Sequence, residues 1–423
     1  MTPPRALFRR TVELAAQIFA DTGRPADRQI EHFFRKHRDM GRNDRGFVAE
    51  TVYGLLRQRR LLTALVGGET PAPERLVATY LLESGWTAQA LHQAGFEGDA
   101  QGLKERLQRF DRTVLPAAVV ANLPDSLQAL LEPQLPRDEL WALTAALNEP
   151  ATVDLRVNTL KASRNDVALR LGREGFAAEQ TPYSPVGLRR HDRAPLFGLQ
   201  AFKDGLFEVQ DEASQLVGLL VEPRRGERIV DFCAGAGGKT LHLGALMSNT
   251  GTLYAFDTSA KRLGQLRPRL ERTGLSNIRP IVIVAGRDQH VRRLMDKIDR
   301  VLVDAPCSGT GTLRRNPDIK WRPLDLAVLV QTQKDILASA ARLVKPSGRL
   351  VYSTCSLLRQ ENEEVVAAFL AAAPQFQRVA VDEILRRRHL RIPDAVTPVG
   401  ELRLYPHRHG TDGFFAAVLE RRE

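Results

Sequence analysis

Two cysteines in the C-terminal half of the chain each follow a run of apolar residues. Cys307 lies in DAPCSGTG (residues 304–311), and Cys355 lies in YSTCS (residues 352–356). The runs DRVLVD and GRLVYSTC, which lead into these motifs, are rich in β-branched and aliphatic residues, as is typical of buried parallel strands. Because parallel strands present their carboxyl ends at one edge of a sheet, we expect the two thiols to meet at one site.

Two thiols at one site can activate a carbon atom that is otherwise unreactive. Carbon 5 of a pyrimidine is a weak nucleophile, but thiolate addition at carbon 6 makes carbon 5 enamine-like and reactive towards a methyl donor. A base then removes the carbon 5 proton, and a second thiol can assist the departure of the first. Asp304 is placed to hydrogen-bond the base and stabilise the adduct. The competing interpretation, an ordinary core cysteine, is favoured for Cys233 but not for Cys307 or Cys355.

A methyl donor needs a binding site, and the turn DFCAGAGGKT (residues 231–240) has the context expected for an adenosine cofactor. It follows the predicted strand RIVDF and opens a predicted helix, and its glycines let the backbone approach a ligand. The turn lacks strict GxGxxG spacing, which favours S-adenosylmethionine over NAD, although a purely structural turn is the alternative. An acid at the end of the next strand is predicted to accept ribose hydroxyls. The predicted cofactor contacts are Cys233, Ala234, Gly235, Ala236, Gly237, Gly238, Lys239, Asp257 and Asp304.

The elements that must position these residues alternate regularly from Gly226 onward. The segments RIVDF, TLYAFD, RPIVIV, RVLVD and GRLVYSTC are predicted to be strands, with helices between them. Such alternation predicts an α/β, Rossmann-like domain with a mostly parallel, doubly wound sheet. The tail RLYPHRHGTDGFFAAVLERR predicts a hairpin that adds an antiparallel edge. We assign this catalytic domain to residues 226–423.

Two further regions precede the predicted sheet. Residues 1–148 show helical periodicity, including a long helix capped by Asn43 or Asp44 and ended by Gly67 and Gly68. Residues 149–225 contain short alternating runs typical of strands and one capped helix that begins at SRND. This pattern predicts a small α+β module directly before the catalytic domain.

The composition is that of a globular protein with a basic surface. The 423-residue chain is 43% hydrophobic and 26% charged, and no apolar run is long enough for a membrane span or a secretory signal. Its three cysteines show no metal-ligand spacing and indicate a reducing, cytoplasmic compartment. The formal net charge is +11, and residues 226–423 carry 31 Lys and Arg against 21 Asp and Glu. A basic surface near the predicted site favours a nucleic-acid substrate, although a generally basic protein is the alternative.

The two cysteine motifs, DAPCSGTGTLRRNPDIKW and YSTCSLLRQENE, closely resemble those of the Sun (Nol/Nop/Sun, RsmB-like) RNA cytosine-5 methyltransferases. The resemblance also takes in VQDEASQLV, DFCAGAGGKT, Asp257 and HGTDGFFAA, and it covers roughly residues 150–423. It implies methyl transfer from S-adenosylmethionine to carbon 5 of a cytosine in RNA, with ribosomal RNA as the expected substrate.

The resemblance also assigns roles to individual residues. It implies that Cys355 is the nucleophile, that Cys307 promotes product release and that Asp304 lies at the cofactor and the target base. The α+β module is similar to the family's RNA-recognition-type extension, and the helical region is loosely similar to a NusB-like domain. The residues assigned to RNA contacts are Lys239, Arg314, Arg315 and Lys320.

The chain departs from the family pattern at the third cofactor acid. The position expected to hold this acid, at the end of the third predicted strand, is Ala285, followed by Gly286 and Arg287. We predict that Asp288 replaces it and reaches the adenine amino group. The glycine turn also reads GAGGKT where the family usually has APGGKT, a change that removes rigidity but no hydrogen-bond donor.

Two other functions are compatible with the predicted fold. One is methylation of an exocyclic base amine, but such enzymes use an Asp/Asn-Pro-Pro-aromatic motif, of which DAPC keeps only the acid and the proline. The other is a non-catalytic RNA-binding assembly factor, which the missing acid at Ala285 keeps open. We expect a monomer that binds no metal and no membrane.

Overall fold

The structure is a computed structural model that describes residues 4–68, 70–191, 195–284 and 288–423. The chain forms two compact units. The first comprises residues 1–150 and 312–324, and the second comprises residues 151–311 and 325–423. Within the described ranges, no helix is both long and apolar enough to cross a membrane.

The first unit is built from helices around one apolar core. Phe8, Leu14, Phe33, Val52 and Leu62 are buried in this core. Helical spacing gives each helix one apolar face, and burying these faces against one another stabilises the unit. The helices are α1 (Pro4–Ala20), α2 (Ala26–Lys36), α3 (Arg42–Val66), α4 (Pro73–Glu83), α5 (Ala88–Gln93), α6 (Ala100–Arg109), α7 (Ala117–Val120), α8 (Asp125–Leu131), α9 (Arg137–Asn148) and the 3₁₀ helices Arg112–Val114, Glu132–Gln134 and Pro317–Trp321.

Helix α3 begins before the predicted capping residues and ends at the predicted glycine stop. The Asp44 carboxylate accepts a 3.1 Å hydrogen bond from the Gly41 backbone N–H, which closes the amino end of the helix. Gly67 follows the last turn with φ of 80°, a left-handed conformation that glycine adopts without strain. The predicted stop is therefore confirmed, whereas Asp44 lies inside the first turn and bonds back to Gly41, the residue that precedes the helix.

Residues 312–324 fold with the first unit, although they directly follow the DAPC motif in the chain. The Trp321 indole N–H donates a 2.8 Å hydrogen bond to the Leu56 carbonyl oxygen of α3. The Asp318 carboxylate accepts a 3.1 Å hydrogen bond from the Ala26 N–H at the start of α2. This segment lies within the range 226–423 expected for the catalytic domain, because local patterns do not reveal which distant helix a segment packs on.

Lys320 and Arg314, two of the residues assigned to RNA contacts, are enclosed within this first unit. The Lys320 ammonium donates to the Arg57 carbonyl oxygen at 3.2 Å and to the Asn148 side-chain oxygen, and only 4% of the residue is exposed. Burial, together with the nearby Arg57 charge, lowers the pKa of Lys320 to about 7. Arg314 is 8% exposed, and its carbonyl oxygen accepts a 3.1 Å hydrogen bond from the Arg57 guanidinium. Both residues are therefore enclosed in the helical unit, where they bond to Arg57 of α3.

Raising the pH above 7 is expected to stabilise the protein through Lys320. In the unfolded chain this lysine has an ordinary pKa, so above pH 7 the unfolded chain binds more protons than the folded chain, and stability rises with pH. We expect this group to raise the free energy of unfolding, measured by urea denaturation, by about 1 to 2 kcal/mol between about pH 7 and pH 8.5. In Lys320→Met this increment should disappear. An equal pH dependence in both proteins would contradict the assignment.

A small α+β module opens the second unit. Its elements are β1 (Val153–Val157), α10 (Arg164–Arg173), β2 (Glu179–Gln180), β3 (Gly187–Arg190), α11 (Gln200–Lys203) and β4 (Phe207–Val209). The strands pair antiparallel in the order β2-β3-β1-β4. The Ser163 hydroxyl accepts a hydrogen bond from the Asp166 N–H and begins α10, as predicted from SRND. Leu155, Val167 and Phe207 are buried in the apolar core of the module.

The remaining elements of the second unit form a larger sheet and the helices that pack on it. They are α12 (Glu212–Leu220), β5 (Arg228–Asp231), α13 (Gly238–Leu246), β6 (Thr252–Asp257), α14 (Ala260–Gly264), α15 (Leu266–Thr273), β7 (Ile278–Val282), α16 (Gln289–Arg293), β8 (Ile298–Asp304), α17 (Leu326–Ala341), β9 (Val344–Thr354), the 3₁₀ helix Arg359–Glu361, α18 (Glu363–Ala372), β10 (Phe376–Val379), α19 (Val381–Arg387), β11 (Leu402–Leu404), α20 (Pro406–His409) and β12 (Phe414–Arg421).

The order of strands in this sheet is β10-β12-β9-β8-β5-β6-β7, with β11 paired to β12. Strands β5 to β9 pair in parallel, and β12 runs antiparallel to both β9 and β10. Separate apolar clusters pack around Leu253 and Val351 and around Val230 and Val303, so the central strands are buried on both faces. The predicted α/β, Rossmann-like fold with an antiparallel edge is confirmed.

The strand ends bring the motif residues to one edge of the sheet. Strands β5, β6 and β8 end at Asp231, Asp257 and Asp304, and Cys355 directly follows β9. The chain order reverses between β5 and β8, and such a reversal opens a crevice outside the carboxyl ends of the strands. Asp257, Asp304 and Cys355 therefore lie at the edge of the sheet where this crevice opens.

Candidate active site

The structure brings Cys307 and Cys355 together. Their sulfur atoms lie 3.4 Å apart, and both side chains line a cavity of about 930 Å³. The backbones of the two motifs also meet, since the Gly311 N–H donates to the Cys355 carbonyl oxygen at 2.9 Å. A Cβ atom on Gly311 would lie 2.1 Å from the Gly413 carbonyl oxygen, so glycine is needed for this close approach.

The two thiols differ in their electrostatic surroundings. The hydrogen bond with Cys355, burial and the negative charge of Glu361 raise the pKa of Cys307 well above that of an ordinary thiol. Cys307 is therefore held protonated, with an S–H group that can donate to the Cys355 sulfur. Such a donor stabilises negative charge on Cys355, and the thiolate is the form in which a cysteine attacks carbon. The pair can supply one nucleophile and one proton donor.

Lys239 and Asp304 form an ion pair at the same cavity. Lys239 Nζ lies 2.7 Å from one carboxylate oxygen of Asp304, and the Ser353 hydroxyl donates to the other oxygen at 3.1 Å. Lys239 stands in the first turn of α13, where its ammonium lies 4.9 Å from the centre of the Phe414 ring. The pair presents a cation and an acceptor to any ligand beside the thiols.

Asp257 supports the glycine-rich turn and faces the same cavity. One of its oxygens accepts a 2.8 Å hydrogen bond from the Gly235 N–H, and the other accepts from the Ser259 N–H at 2.7 Å and from Arg262 at 3.0 Å. The oxygen bound to Gly235 has a second lone pair that a ligand hydroxyl can use. Gly237 has φ of 85°, which a side-chain-bearing residue adopts only with strain, so this turn depends on glycine.

Asp231 is a cavity residue that the sequence analysis did not single out. The Thr240 hydroxyl donates to one of its oxygens at 2.7 Å, while the other oxygen has no hydrogen-bond partner among the described residues. Burial raises the pKa of Asp231 to about 7. A buried acceptor without a partner is suited to an amino group of a ligand. The signal that could have found it is its position as the last residue of β5, where the glycine turn begins.

One face of α17 lines the cavity, and this contribution of α17 was not predicted from the sequence. Thr332, Asp335, Ile336 and Ser339 line this wall. These positions follow the pattern i, i+3, i+4, i+7, so they share one helical face, and this pattern is the signal that could have found them. The Asp335 carboxylate accepts a 3.0 Å hydrogen bond from the Gln331 side chain.

Asp288, predicted to replace the missing family acid, is not among the residues that line the cavity. Its carboxylate accepts hydrogen bonds from the Val284 N–H at 2.9 Å and the His290 N–H at 2.7 Å. These bonds lower the pKa of Asp288 to about 2, and the bond from His290 caps α16. Ala285 and the two residues that follow it lie outside the described residues.

The other predicted site residues divide between the cavity and the helical unit. Arg314 and Lys320 are buried in the first unit, and Arg315 is partly exposed there. Burial and nearby acids raise the pKa of the Cys233 thiol, so this cysteine stays neutral. Across the ranges that the structure describes, no cluster of three or more His, Cys, Asp or Glu could hold a metal ion. The residues of the predicted cofactor turn that line the cavity are Cys233, Ala234, Gly235, Ala236, Gly238 and Lys239.

The α+β module supports the glycine-rich turn directly. Arg156 of β1 donates to the Gly238 carbonyl oxygen at 2.7 Å, and Arg269 of α15 donates to the Ala236 carbonyl oxygen at 2.6 Å. Glu208 of β4 in turn accepts a 2.8 Å hydrogen bond from Arg269. The module therefore contributes to the framework of the candidate site, a role that spacing in the sequence does not reveal.

Comparison with known proteins places this site in a family. Residues 218–420 match the model for 16S rRNA methyltransferase RsmB/F, and residues 123–195 match the model for the ferredoxin-like domain of RsmF/B-like methyltransferases. The chain is 32% identical to the probable ribosomal RNA small subunit methyltransferase B of Synechocystis sp., over 97% of this chain and 99% of that protein. It is also 32% identical to the human 28S rRNA (cytosine(4447)-C(5))-methyltransferase, over 75% of this chain and 40% of that protein. The crystal structure of PH0851 has a TM-score of 0.81 and 28% identity, covering 100% of this chain and 99% of that one.

Fold and comparisons together define the class as Rossmann-like methyltransferases that carry a ferredoxin-like domain before the catalytic sheet. The chain belongs to the RsmB/F, or Sun, family of ribosomal RNA methyltransferases. The family prediction made from the two cysteine motifs is therefore confirmed.

Proposed function

We propose that this protein transfers a methyl group from S-adenosylmethionine to carbon 5 of a cytosine in ribosomal RNA, through a covalent bond between Cys355 and the base. The observation that carries the proposal is the 3.4 Å separation of the Cys307 and Cys355 sulfurs at a cavity that Asp257 also lines. Methylation of an exocyclic amine does not need a second thiol beside the first. The human relative is named for carbon 5 of a cytosine in 28S rRNA, which supports the same position here.

The residues around the cavity fit S-adenosylmethionine. Its volume of about 930 Å³ is in the range of small-molecule sites, and the glycine turn lets a ligand approach the backbone. Asp257 has a lone pair for a ribose hydroxyl, and Asp231 has an unpaired oxygen for the amino group of the methionine part. Ile283 and Ile336 offer apolar surfaces to the adenine ring. When bound, this cofactor supplies an electrophilic methyl carbon.

The two cysteines then carry out addition and release. The Cys355 sulfur uses an electron pair to form a bond with carbon 6 of the cytosine, and the displaced double-bond electrons make carbon 5 the nucleophile. After methylation, a base takes the carbon 5 proton, the electrons of that carbon–hydrogen bond restore the double bond, and the carbon–sulfur bond breaks with its electrons on Cys355. The Cys307 S–H stabilises that departing sulfur. A base inside an RNA helix must leave its stack to reach Cys355, so loops are favoured targets.

The test is incubation of the protein with ribosomal RNA and S-adenosylmethionine carrying a labelled methyl group, followed by mass spectrometry of the digested nucleosides. The expected product is 5-methylcytidine at one or a few positions. A methyl group found only on an exocyclic amine would replace this proposal with the amine alternative. Cofactor binding that is undetectable by calorimetry would instead support the non-catalytic assembly factor.

Asp335, rather than Asp288, is expected to contribute to cofactor affinity. Asp335 lines the cavity beside Ile336, where its carboxylate can accept from the adenine amino group. Both oxygens of Asp288 instead accept backbone hydrogen bonds, from Val284 and His290. We expect Asp335→Ala to weaken S-adenosylmethionine binding by about tenfold, the value of one hydrogen bond to a charged group. Asp288→Ala is the matched control, with an expected change below about twofold. Calorimetric affinities in the opposite order would contradict this assignment.

A further inference from the structure

Glu361 is a fully buried acid that connects the two cysteine-bearing loops. One of its carboxylate oxygens accepts hydrogen bonds from the Ser308 N–H at 2.8 Å and from the Gln333 side chain at 2.9 Å. The other oxygen accepts from the hydroxyl groups of Ser308 and Ser356. Three of these four bonds come from Ser308 and Ser356, the residues that directly follow Cys307 and Cys355 in the chain.

The sheet does not hold these loops beyond the strand ends. The last paired residues of β8 and β9 are Asp304 and Ser353. The last backbone hydrogen bond between the two strands runs from the Ala305 N–H to the Ser353 carbonyl oxygen. Each cysteine lies two or three residues past that pair. The relative position of the two sulfurs therefore depends on contacts within the loops themselves.

Bonds among the loop residues converge on the same carboxylate. The Ser308 and Ser356 hydroxyl oxygens lie 3.1 Å apart, and the Thr310 hydroxyl oxygen lies 3.3 Å from each of them. The Thr310 hydroxyl also accepts a 2.8 Å hydrogen bond from the Leu357 N–H. Glu361 accepts from both serines of this cluster, which makes it the anchor of the network.

We propose that Glu361 is a positioning residue that sets the distance between Cys307 and Cys355 by binding both loops at once. This inference rests on the proposed two-cysteine reaction for its functional meaning, but the geometry it describes can be measured without activity. Its basis is a carboxylate that accepts four hydrogen bonds, of which three come from the serines next to the two cysteines.

Glutamine is the conservative replacement that separates hydrogen bonding from charge. In Glu361→Gln the amide oxygen can keep the two N–H donors, and the amide nitrogen can donate to the two serine hydroxyl groups, which also act as acceptors. The negative charge near Cys307 is lost. In Glu361→Ala every bond is lost. Comparing the two variants therefore tests whether the bonds or the charge matter.

The experiment measures how fast the full-length protein forms a disulfide between Cys307 and Cys355 when treated with diamide. In this reaction the two thiols lose two protons and two electrons, and diamide is reduced to its hydrazine. The linked peptides are then quantified by mass spectrometry. Glu364→Ala serves as the matched control, since Glu364 is an exposed acid of α18.

Disulfide formation should slow at least tenfold in Glu361→Ala and stay within about threefold of wild type in Glu361→Gln and Glu364→Ala. In turnover assays, Glu361→Ala should lower kcat at least about a hundredfold without changing the KM for S-adenosylmethionine by more than about twofold.

A Ser308→Ala, Ser356→Ala double variant, which keeps the acid but removes both hydroxyl donors, provides a second test and should slow disulfide formation about threefold or more.

Wild-type rates of disulfide formation in Glu361→Ala, or in the serine double variant if Glu361→Ala does not fold, would overturn the proposal. An equal loss in Glu361→Gln and Glu361→Ala would overturn it too, because charge and not hydrogen bonding would then control the pair. If the wild-type protein made no 5-methylcytidine, the proposed function would fail. The disulfide rates would still report on the positioning role, so the two failures are distinguishable.

Discussion

Cys307→Ala is expected to trap the protein on its RNA as a covalent adduct that survives a denaturing gel. Without an S–H donor 3.4 Å from the Cys355 sulfur, the carbon–sulfur bond breaks slowly after methylation, and the adduct accumulates. Cys355→Ala is expected to lower the methylation rate on the order of a thousandfold or more, because the bond to carbon 6 cannot form. The measurements are gel mobility of labelled RNA and methyl transfer under single-turnover conditions.

The matched control is the Cys307→Ala, Cys355→Ala double variant. It keeps the rest of the cavity but lacks the nucleophile, so no adduct band should form. Protease treatment of the Cys307→Ala adduct should return the RNA to its free mobility. Normal turnover by Cys307→Ala without an adduct, or an adduct in the double variant, would contradict the two-cysteine mechanism.

Asp304→Ala is expected to reduce the single-turnover rate of methylation by about a hundredfold to a thousandfold. Asp304 ends β8 three residues before Cys307, and its carboxylate carries the ion pair with Lys239 at 2.7 Å. Removing it deletes the acceptor that can hold the amino edge of the cytosine and leaves the mostly buried Lys239 ammonium without its partner. In a Cys307→Ala background, Asp304→Ala should also prevent adduct accumulation, because the base is no longer held for attack.

Asp299→Ala is the matched control for Asp304→Ala. Asp299 lies on the same strand, near its opposite end, and is also ion-paired, in its case with Lys345. It does not line the cavity, so its loss should change the methylation rate by less than about twofold, while thermal unfolding reports any loss of stability. Equal losses of rate in the two variants would show that a structural effect, and not contact with the base, explains Asp304.

The residues of the proposed chemistry could be predicted from the sequence because they lie where apolar, strand-like runs end. Cys307, Cys355 and Asp257 each follow a short apolar run, and a parallel sheet gathers the ends of such runs at one edge. The glycine turn was equally visible, because only glycine permits conformations such as φ of 85° at Gly237.

Two of the predicted site residues, Asp288 and Lys320, have surroundings that differ from the prediction, and each difference has a physical cause. Asp288 lies directly before α16, and an aspartate at that position is attracted to the free N–H groups of the helix. Lys320 lies in a basic segment typical of an RNA contact, but residues 312–324 pack into the helical unit and bury it. A local motif cannot distinguish a solvent-facing cation from one that is enclosed by helices far away in the chain.

The amino-acid sequence alone determined the alternation of strands and helices, the glycine turn and the two cysteine motifs that follow strands, because these depend on short-range periodicity and backbone preference. Only the tertiary structure decided that residues 312–324 join the helical unit, that α17 walls the cavity and that Glu361 binds both cysteine loops. These features are contacts between residues distant in the chain. They depend on how whole elements pack, and the periodicity of a single sequence does not encode that packing.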